Sequence, residues 1–506
     1  MAKSGSKGSF ATIDLDRAGA VPIYQQIVMQ LRGAIAAGQL EPGMRLASTR
    51  TLAAEWGVSR NTVLQVFETL SGEGYLESRV GDGTYISGQV PEESAVIPET
   101  PDDGFDERNG RAGYPFRRLS RRGLALMEQC PPGLTERPEP FMPDVPDLRA
   151  FPIKTWLRLM NEVSGRLTGN TLIQVSNAGY EPLRQAIAHH VRTARGLDCT
   201  AAQVIVTSGS QQSLDLVTRI LLDRGDPVWM EEPGYVGMRA SLLANGCHVL
   251  PAPIDSEGLD LEQARVRFAT PRMVCVSPAR EYPLGTTLSP ARRSALIDFS
   301  YRTGAWIVED DYDAENQYQG QPLPALQSLD TAQRVIYMGT FSKTLLPSFR
   351  LGFLVVPPDI AEDFAKARAV IDRHAPIMEQ MVLAEFMHRG LYAAHLRRMR
   401  ALYRERQEAM LSVLHDHVGY QPPAYECQGG MHFVVPFRDA VSDEEVVRTL
   451  WSRQVIARPL SIYYGGRSKQ SGVLLGFAAY PVEVIQEAGE RLDCLRGLLP
   501  EGRSPR

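Results

Sequence analysis

No two cysteines in this chain stand close enough in sequence to suggest a shared metal or a planned bridge. The six, Cys130, Cys199, Cys247, Cys275, Cys427 and Cys494, are scattered through 506 residues without a Cys-x-x-Cys pair. That argues against a zinc site or a disulfide frame and for a reducing compartment. No apolar run is long enough to cross a bilayer, and residues 1–10 lack the apolar core of a secretory signal. A cytoplasmic protein without a membrane partner is expected. Excess positive charge is missing too. The formal net charge is -5, so any attraction to nucleic acid must come from a local patch. No internal repeat is present. What remains is ordinary globular material, 43% hydrophobic and 22% charged. The length suits roughly three domain-sized units, or one large α/β domain with a smaller companion.

The first stretch reads as a small helical module. Ile23, Ile27, Leu31 and Ile35 recur at helical spacing after Pro22, and Gly38 ends the run. Ser48 or Thr49 can cap a short helix carrying Leu52 and Ala53, Gly57 makes a turn, and Ser59 can cap a helix that turns Val63, Val66, Phe67 and Leu70 inward. Gly74-Tyr75-Leu76 and Thr84-Tyr85-Ile86 then alternate like two strands joined by Gly81-Asp82-Gly83. This is a helix-turn-helix with a β-wing. The start of its second helix would enter the major groove of double-stranded operator DNA and present Ser59, Arg60, Asn61 and Thr62, with arginine suited to guanine. Arg45 and Arg50 would grip phosphates from the flank. Acidic residues match basic ones in number here, so charge alone leaves a protein-interaction module equally open, and the placement of the arginines decides for DNA. The run RLASTRTLAAEWGVSRNTV…EGYLESRVGDGTYIS resembles the winged helix-turn-helix of GntR-type transcription regulators. That resemblance implies DNA contacts from Arg50, Ser59, Arg60, Thr62 and the Gly81–Gly83 wing. Ala47 replaces a usual proline, and Leu64 stands where relatives often carry arginine.

The expected boundaries are 20–88 for the DNA-binding domain and 89–115 for a Pro-, Gly- and acid-rich linker. A basic cluster, FRRLSRRG, opens the remainder, 116–500, and reads as a solvated lead-in in preference to a DNA contact. That remainder alternates short β-branched runs with helical stretches, the pattern of a parallel sheet with crossover helices. Ligands in such sheets lie beyond the carboxyl ends of the strands. Gln203–Thr207 leads into Ser208-Gly209-Ser210-Gln211-Gln212 and a helix, a phosphate-suited turn. Val228-Trp229-Met230 leads to Tyr235, a stacking platform or a rim tyrosine. Met273–Val276 leads to the proline-bounded loop Ser277–Gly285. Trp306-Ile307-Val308 leads to Glu309-Asp310-Asp311-Tyr312-Asp313. With no histidine nearby, a metal there is disfavoured. A carboxylate at a strand end can instead keep a pyridine nitrogen protonated. The strand at 334–338 delivers GTFSKTLLPSFRLG, in which Lys343 is a candidate aldehyde-binding amine and Arg350 a phosphate fork, or the pair is a plain surface Ser-Lys and neighbour.

The order GSQQ, PGY, proline loop, DDY, SK and Arg is similar to that of fold-type I aminotransferases. With the DNA module in front, the chain resembles the MocR subfamily of GntR regulators. The resemblance implies an α/β effector domain that binds pyridoxal 5'-phosphate. Lys343 would form the internal aldimine, Asp310 would pair the pyridine nitrogen, Tyr312 the phenolate oxygen, and Tyr235 would stack on the ring. Ser210, Gln211, Thr340 and Arg350 would hold the phosphate. A small amine or amino-acid-like effector would be read through an external aldimine within a homodimer, with Arg458 as the candidate effector residue. Three departures stand out. Arg280-Glu281 replace the first two residues of a usual HQYP. Gly237 stands where some members place an effector arginine. The strand 472–477 lacks the arginine that clamps a substrate carboxylate in true aminotransferases. The rival reading is an active aminotransferase, and a third is regulation by free pyridoxal phosphate.

Overall fold

The computed structural model describes residues 13–17, 19, 21–36, 38–79, 82–88, 120–129, 139–169, 176–320, 323–466 and 469–500. The expected linker, Gly81 of the wing, Cys130 and the first residues of the FRRLSRRG cluster lie outside them. The chain divides into two compact units, 1–116 and 117–506.

In the smaller unit, helices α1 (Ile23–Ala36), α2 (Thr49–Trp56) and α3 (Arg60–Gly72) pack around Ile27, Leu31, Leu52, Trp56, Val63, Val66 and Leu70. The caps decide where α2 and α3 begin. Ser48 Oγ accepts from Thr51 N at 3.2 Å and Ser59 Oγ from Thr62 N at 3.1 Å, so each satisfies one of the backbone donors a helix start leaves free. Gly57, at φ 63°, closes α2 in the left-handed region that costs glycine little. The wing strands β1 (Leu76–Arg79) and β2 (Gly83–Ile86) pair antiparallel, and Arg45 bridges to Tyr85 on the outer side of β2.

The larger unit is built on an eight-stranded sheet in the order β3-β10-β9-β8-β7-β4-β5-β6. Its strands are β3 (Val204–Thr207), β4 (Pro227–Glu232), β5 (His248–Asp255), β6 (Gly258–Leu259), β7 (Met273–Val276), β8 (Trp306–Asp311), β9 (Val335–Thr340) and β10 (Gly352–Val355). The β5-β4-β7-β8-β9 run is parallel, as the alternating pattern implies. The sheet is nevertheless mixed: β10 lies antiparallel between β3 and β9, and β6 folds back on β5. Both sheet faces are buried, which is why the strands read as continuous apolar runs. Val204, Val206, Tyr337 and Phe353 pack on one face with Trp156, Leu183, Ile187 and Phe386. Ile205, Ile336, Met338 and Leu354 pack on the other with Leu214, Val217 and Phe364. A second core gathers around the smaller sheet of β11 (His432–Pro436), β12 (Arg458–Pro459) and β13 (Gly472–Gly476), in the order β11-β13-β12. No described helix is long and apolar enough to cross a membrane, and the five cysteines among the described residues are free.

Candidate functional site

Strands β3, β4, β7, β8 and β9 run the same way, so the residues following them share one edge of the sheet. After β3 the chain turns at Gly209 (φ 102°) into the helix Ser210–Leu221, whose start has no side-chain cap. Its first N–H groups are therefore open to a ligand. Gly352, at the start of β10, packs so close that a Cβ there would lie 3.0 Å from the Gly209 Cα. The guanidinium of Arg350 lies over the same turn, 3.4 Å from where a Gly209 Cβ would be. Thr340, at the end of β9, is buried and its hydroxyl accepts from Ser342 N at 3.2 Å. One pole of the site thus gathers Ser210, Gln211, Arg350 and the β9 end.

The other pole is acidic and aromatic. Of the four carboxylates in Glu309–Asp313, three are spoken for. Glu309 accepts from Leu326 N and Gln327 N at 2.7 and 2.9 Å. Asp311 is gripped by Arg195 at 2.6 Å and by the Tyr337 hydroxyl at 2.6 Å. Asp313 accepts from Asn316 at 2.7 Å. Asp310 is buried, and its Oδ1 has no hydrogen-bond partner. Burial, with the Asp311 charge behind it and Lys343 opposing, pushes its carboxyl up to about 7. The hydroxyl of buried Tyr312 is likewise unpartnered. Buried polar groups are nearly always paired, so this coincidence needs a reason. Among the described residues no cluster could hold a metal. Tyr235 packs edge-on to Tyr282, and a side chain on Gly237 would overlap both the Tyr235 ring and Gln211. That contact leaves position 237 no room for an effector arginine.

Lys343 meets a residue that the sequence did not flag. Its Nζ lies 3.1 Å from Asp144 Oδ1 and donates at 3.1 Å to the Asp144 carbonyl. Asp144 Oδ2 accepts from Arg458 Nη1 at 3.0 Å and from the Tyr282 hydroxyl at 2.6 Å. His432 Nδ1 stands 3.6 Å from Oδ1. Burial works against the Asp144 charge, but Lys343, His432 and Arg458 together with Tyr282 hold it well below the usual carboxylate range. Burial in turn pushes His432 down to about 4. Arg458 lies on β12 opposite Leu474 of β13, so it is one strand over from the strand that lacks the clamping arginine. The only local signal for Asp144 is its place in a proline-flanked FMPDVPD run without periodicity. Arg280 is clamped between Gly285 and Gly430, with Asp313 at 3.8 Å, and so takes a structural place in the proline loop. A cavity of about 650 Å³ bordered by Glu232, Arg239, Trp451 and Tyr464 opens elsewhere, and neither Lys343 nor Asp310 lines it.

In the smaller unit, Arg45, Arg50, Ser59, Arg60, Asn61 and Gly83 are exposed, Thr62 half so. Among the described residues no hydrogen bond or ion pair is seen for Arg50, Arg60 or Asn61 side chains, so they are free to reach outward. The hydroxyls of Ser59 and Thr62 already face each other at 2.9 Å. Arg45 lies against Gly83, 4.0 Å from Asp82.

Comparison with known proteins follows this division. A family model for class I and II aminotransferases matches residues 145–492, and one for bacterial regulatory proteins of the gntR family matches residues 23–86. The chain is 39% identical to the probable rhizopine catabolism regulatory protein MocR of Rhizobium meliloti, over 94% of this chain and 93% of that protein. It is 30% identical to the pyridoxine biosynthesis transcriptional regulator PdxR of Corynebacterium glutamicum, over 92% and 94%. Among solved structures, the α-aminoadipate aminotransferase LysN of Thermus thermophilus, complexed with N-(5'-phosphopyridoxyl)-L-leucine, superposes with a TM-score of 0.65 at 28% identity, covering 75% of this chain and 95% of that one. The chain therefore belongs to the GntR family of transcription regulators in its MocR form, a DNA-binding winged helix joined to an aminotransferase-like domain that depends on pyridoxal phosphate.

Proposed function

We propose that the larger unit reads a small amine or amino-acid-like effector at its bound pyridoxal phosphate, and that this reading sets the affinity of the winged helix for its operator. The observation that carries the assignment is the pair of buried, unpartnered atoms, Asp310 Oδ1 and Tyr312 Oη, beside neighbours whose carboxylates are all satisfied. A protonated pyridine nitrogen would give Asp310 the opposite charge it lacks, and a phenolate oxygen would accept from Tyr312. When bound, the cofactor supplies an aldehyde that condenses reversibly with primary amines. Lys343 is the resident amine. Ser210 and Gln211 at the open helix start, Thr340 and Arg350 hold the phosphate through backbone N–H groups, a hydroxyl and a bidentate fork. Tyr235 supports the ring.

On the DNA side, Arg60 and Asn61 read base edges from the start of α3, while Arg45, Arg50, Ser59, Thr62 and the wing at Gly81–Gly83 seat the backbone. Exposed Leu64 (37%) on the same helix suits a thymine methyl. The working unit is a homodimer, because paired helix-turn-helix modules read half-sites. An effector can shift operator affinity only by binding two states of that dimer unequally.

The test joins two measurements on the full-length protein loaded with cofactor. An amine that changes the cofactor absorbance should also change operator affinity. Lys343→Ala should take up the cofactor without a borohydride-reducible bond to protein. Operator affinity indifferent to every amine that alters the spectrum would remove the sensing role. Steady turnover of an amino donor with a keto acid would favour the aminotransferase reading instead.

A further inference from the structure

We infer that Asp144 occupies the place an effector carboxylate would take, and that the effector is a primary amine bearing hydroxyl or second amino groups in place of a carboxylate. The inference rests on the sensing role proposed above and names the class of ligand that site accepts.

Arg458 is the cation available to clamp an effector carboxylate near Lys343, and its Nη1 is already bonded to Asp144 Oδ2 at 3.0 Å. The same oxygen takes the Tyr282 hydroxyl, and Tyr282 in turn contacts the Tyr463 hydroxyl at 3.1 Å. Among the described residues Lys343, Arg458, Tyr282 and His432 face the carboxylate, so it is built into the site. Its segment is anchored on both sides. Phe141 O accepts from Gly476 N at 2.7 Å, and Asp147 pairs with Arg406 at 2.6 Å and accepts from Arg149 N at 2.9 Å. Asp144 itself sits at φ 68°, a conformation that glycine adopts freely and aspartate tolerates. A residue held there against backbone preference, with its charge matched by an arginine, is not incidental.

Once Lys343 turns to the cofactor, Oδ1 of Asp144 loses its cation and becomes a buried acceptor within the pocket. An effector carboxylate would meet that negative charge with the arginine already engaged. A hydroxyl or ammonium would instead satisfy it.

The test uses matched pairs on the cofactor-loaded full chain: ethanolamine against glycine, 3-aminopropan-1-ol against β-alanine, and 4-aminobutan-1-ol against γ-aminobutyrate. Half-saturation is read from cofactor absorbance and, independently, from the rise in melting temperature. Each amino alcohol should bind at least tenfold more tightly than its acid. Asp144→Gly suits the local φ and frees Arg458, so the preference should move at least tenfold toward the acids. Asp144→Asn keeps the shape, removes the charge and should move it the same way. Adding Arg458→Met to Asp144→Gly should abolish the gained affinity for acids. Acids bound as tightly as alcohols in the unmodified protein, no response to either member of any pair, or a ratio unchanged in both Asp144 variants would overturn the inference. A protein that takes up no cofactor would instead overturn the sensing role beneath it.

Discussion

Asp310→Asn separates a cofactor partner from an ordinary buried acid. Burial and the neighbouring Asp311 charge, opposed by Lys343, raise the carboxyl from 3.8 to about 7 in the cofactor-free protein. In the unfolded chain it releases its proton near the lower value. Between those two pH values the folded, cofactor-free state binds more protons, so its stability falls as pH rises, and the loss is complete above about pH 7. The difference corresponds to ~4 kcal/mol. An asparagine does not titrate. It leaves an unpaired amide worth about 1–3 kcal/mol at every pH, so the diagnostic is the slope. Urea unfolding of cofactor-free protein from pH 4 to 8 should show the variant gaining on the parent by up to ~4 kcal/mol across that window. With cofactor the order reverses. Removing one member of a buried charge pair costs ~2–5 kcal/mol, so cofactor affinity should drop roughly 30-fold or more. Parallel pH profiles, or an unchanged dissociation constant, would refute the pairing of Asp310 with the ring nitrogen.

Other perturbations probe the remaining parts. Arg60→Ala should cost operator binding ~1–3 kcal/mol and relax selectivity at one base position, whereas Arg50→Ala should weaken all DNA sequences alike and lower the salt slope by about 1; fluorescence anisotropy at several salt concentrations distinguishes them. Gly237→Ala places a Cβ into Tyr235 and Gln211, so a spectrophotometric titration should show weaker cofactor binding with the DNA-binding unit unaffected. Ser59→Ala removes the cap of α3 and should lower stability by ~1 kcal/mol, read as a lower melting temperature, before any effect on DNA.

Much of the architecture was legible because it is written locally. Caps at Ser48 and Ser59, turns at Gly38 and Gly57, and apolar period in α1 and α3 specify the small module within stretches of a dozen residues. The strands leading to Ser210, Tyr235, Asp310 and Lys343 are buried on both faces and so announce themselves as apolar runs. Sequence alone also set the chemistry of the candidate list: an amine, an arginine fork, an open helix start and an acid at a strand end. It could not say that β10 runs against its neighbours, because nothing in Gly352–Val355 encodes direction. The family resemblance pointed to Asp310, but residue patterning by itself gave no reason to prefer it over Glu309, Asp311 or Asp313. Arg195, 116 residues away from Asp311, and Asn316 beside Asp313 use up their partners, and Asp310 is left over. Asp144 and Arg458 are 314 positions apart. Local patterning can offer a charged side chain, but only the packed fold decides which opposite charge it meets, because in a desolvated interior each ion takes whatever counter-charge folding brings within reach.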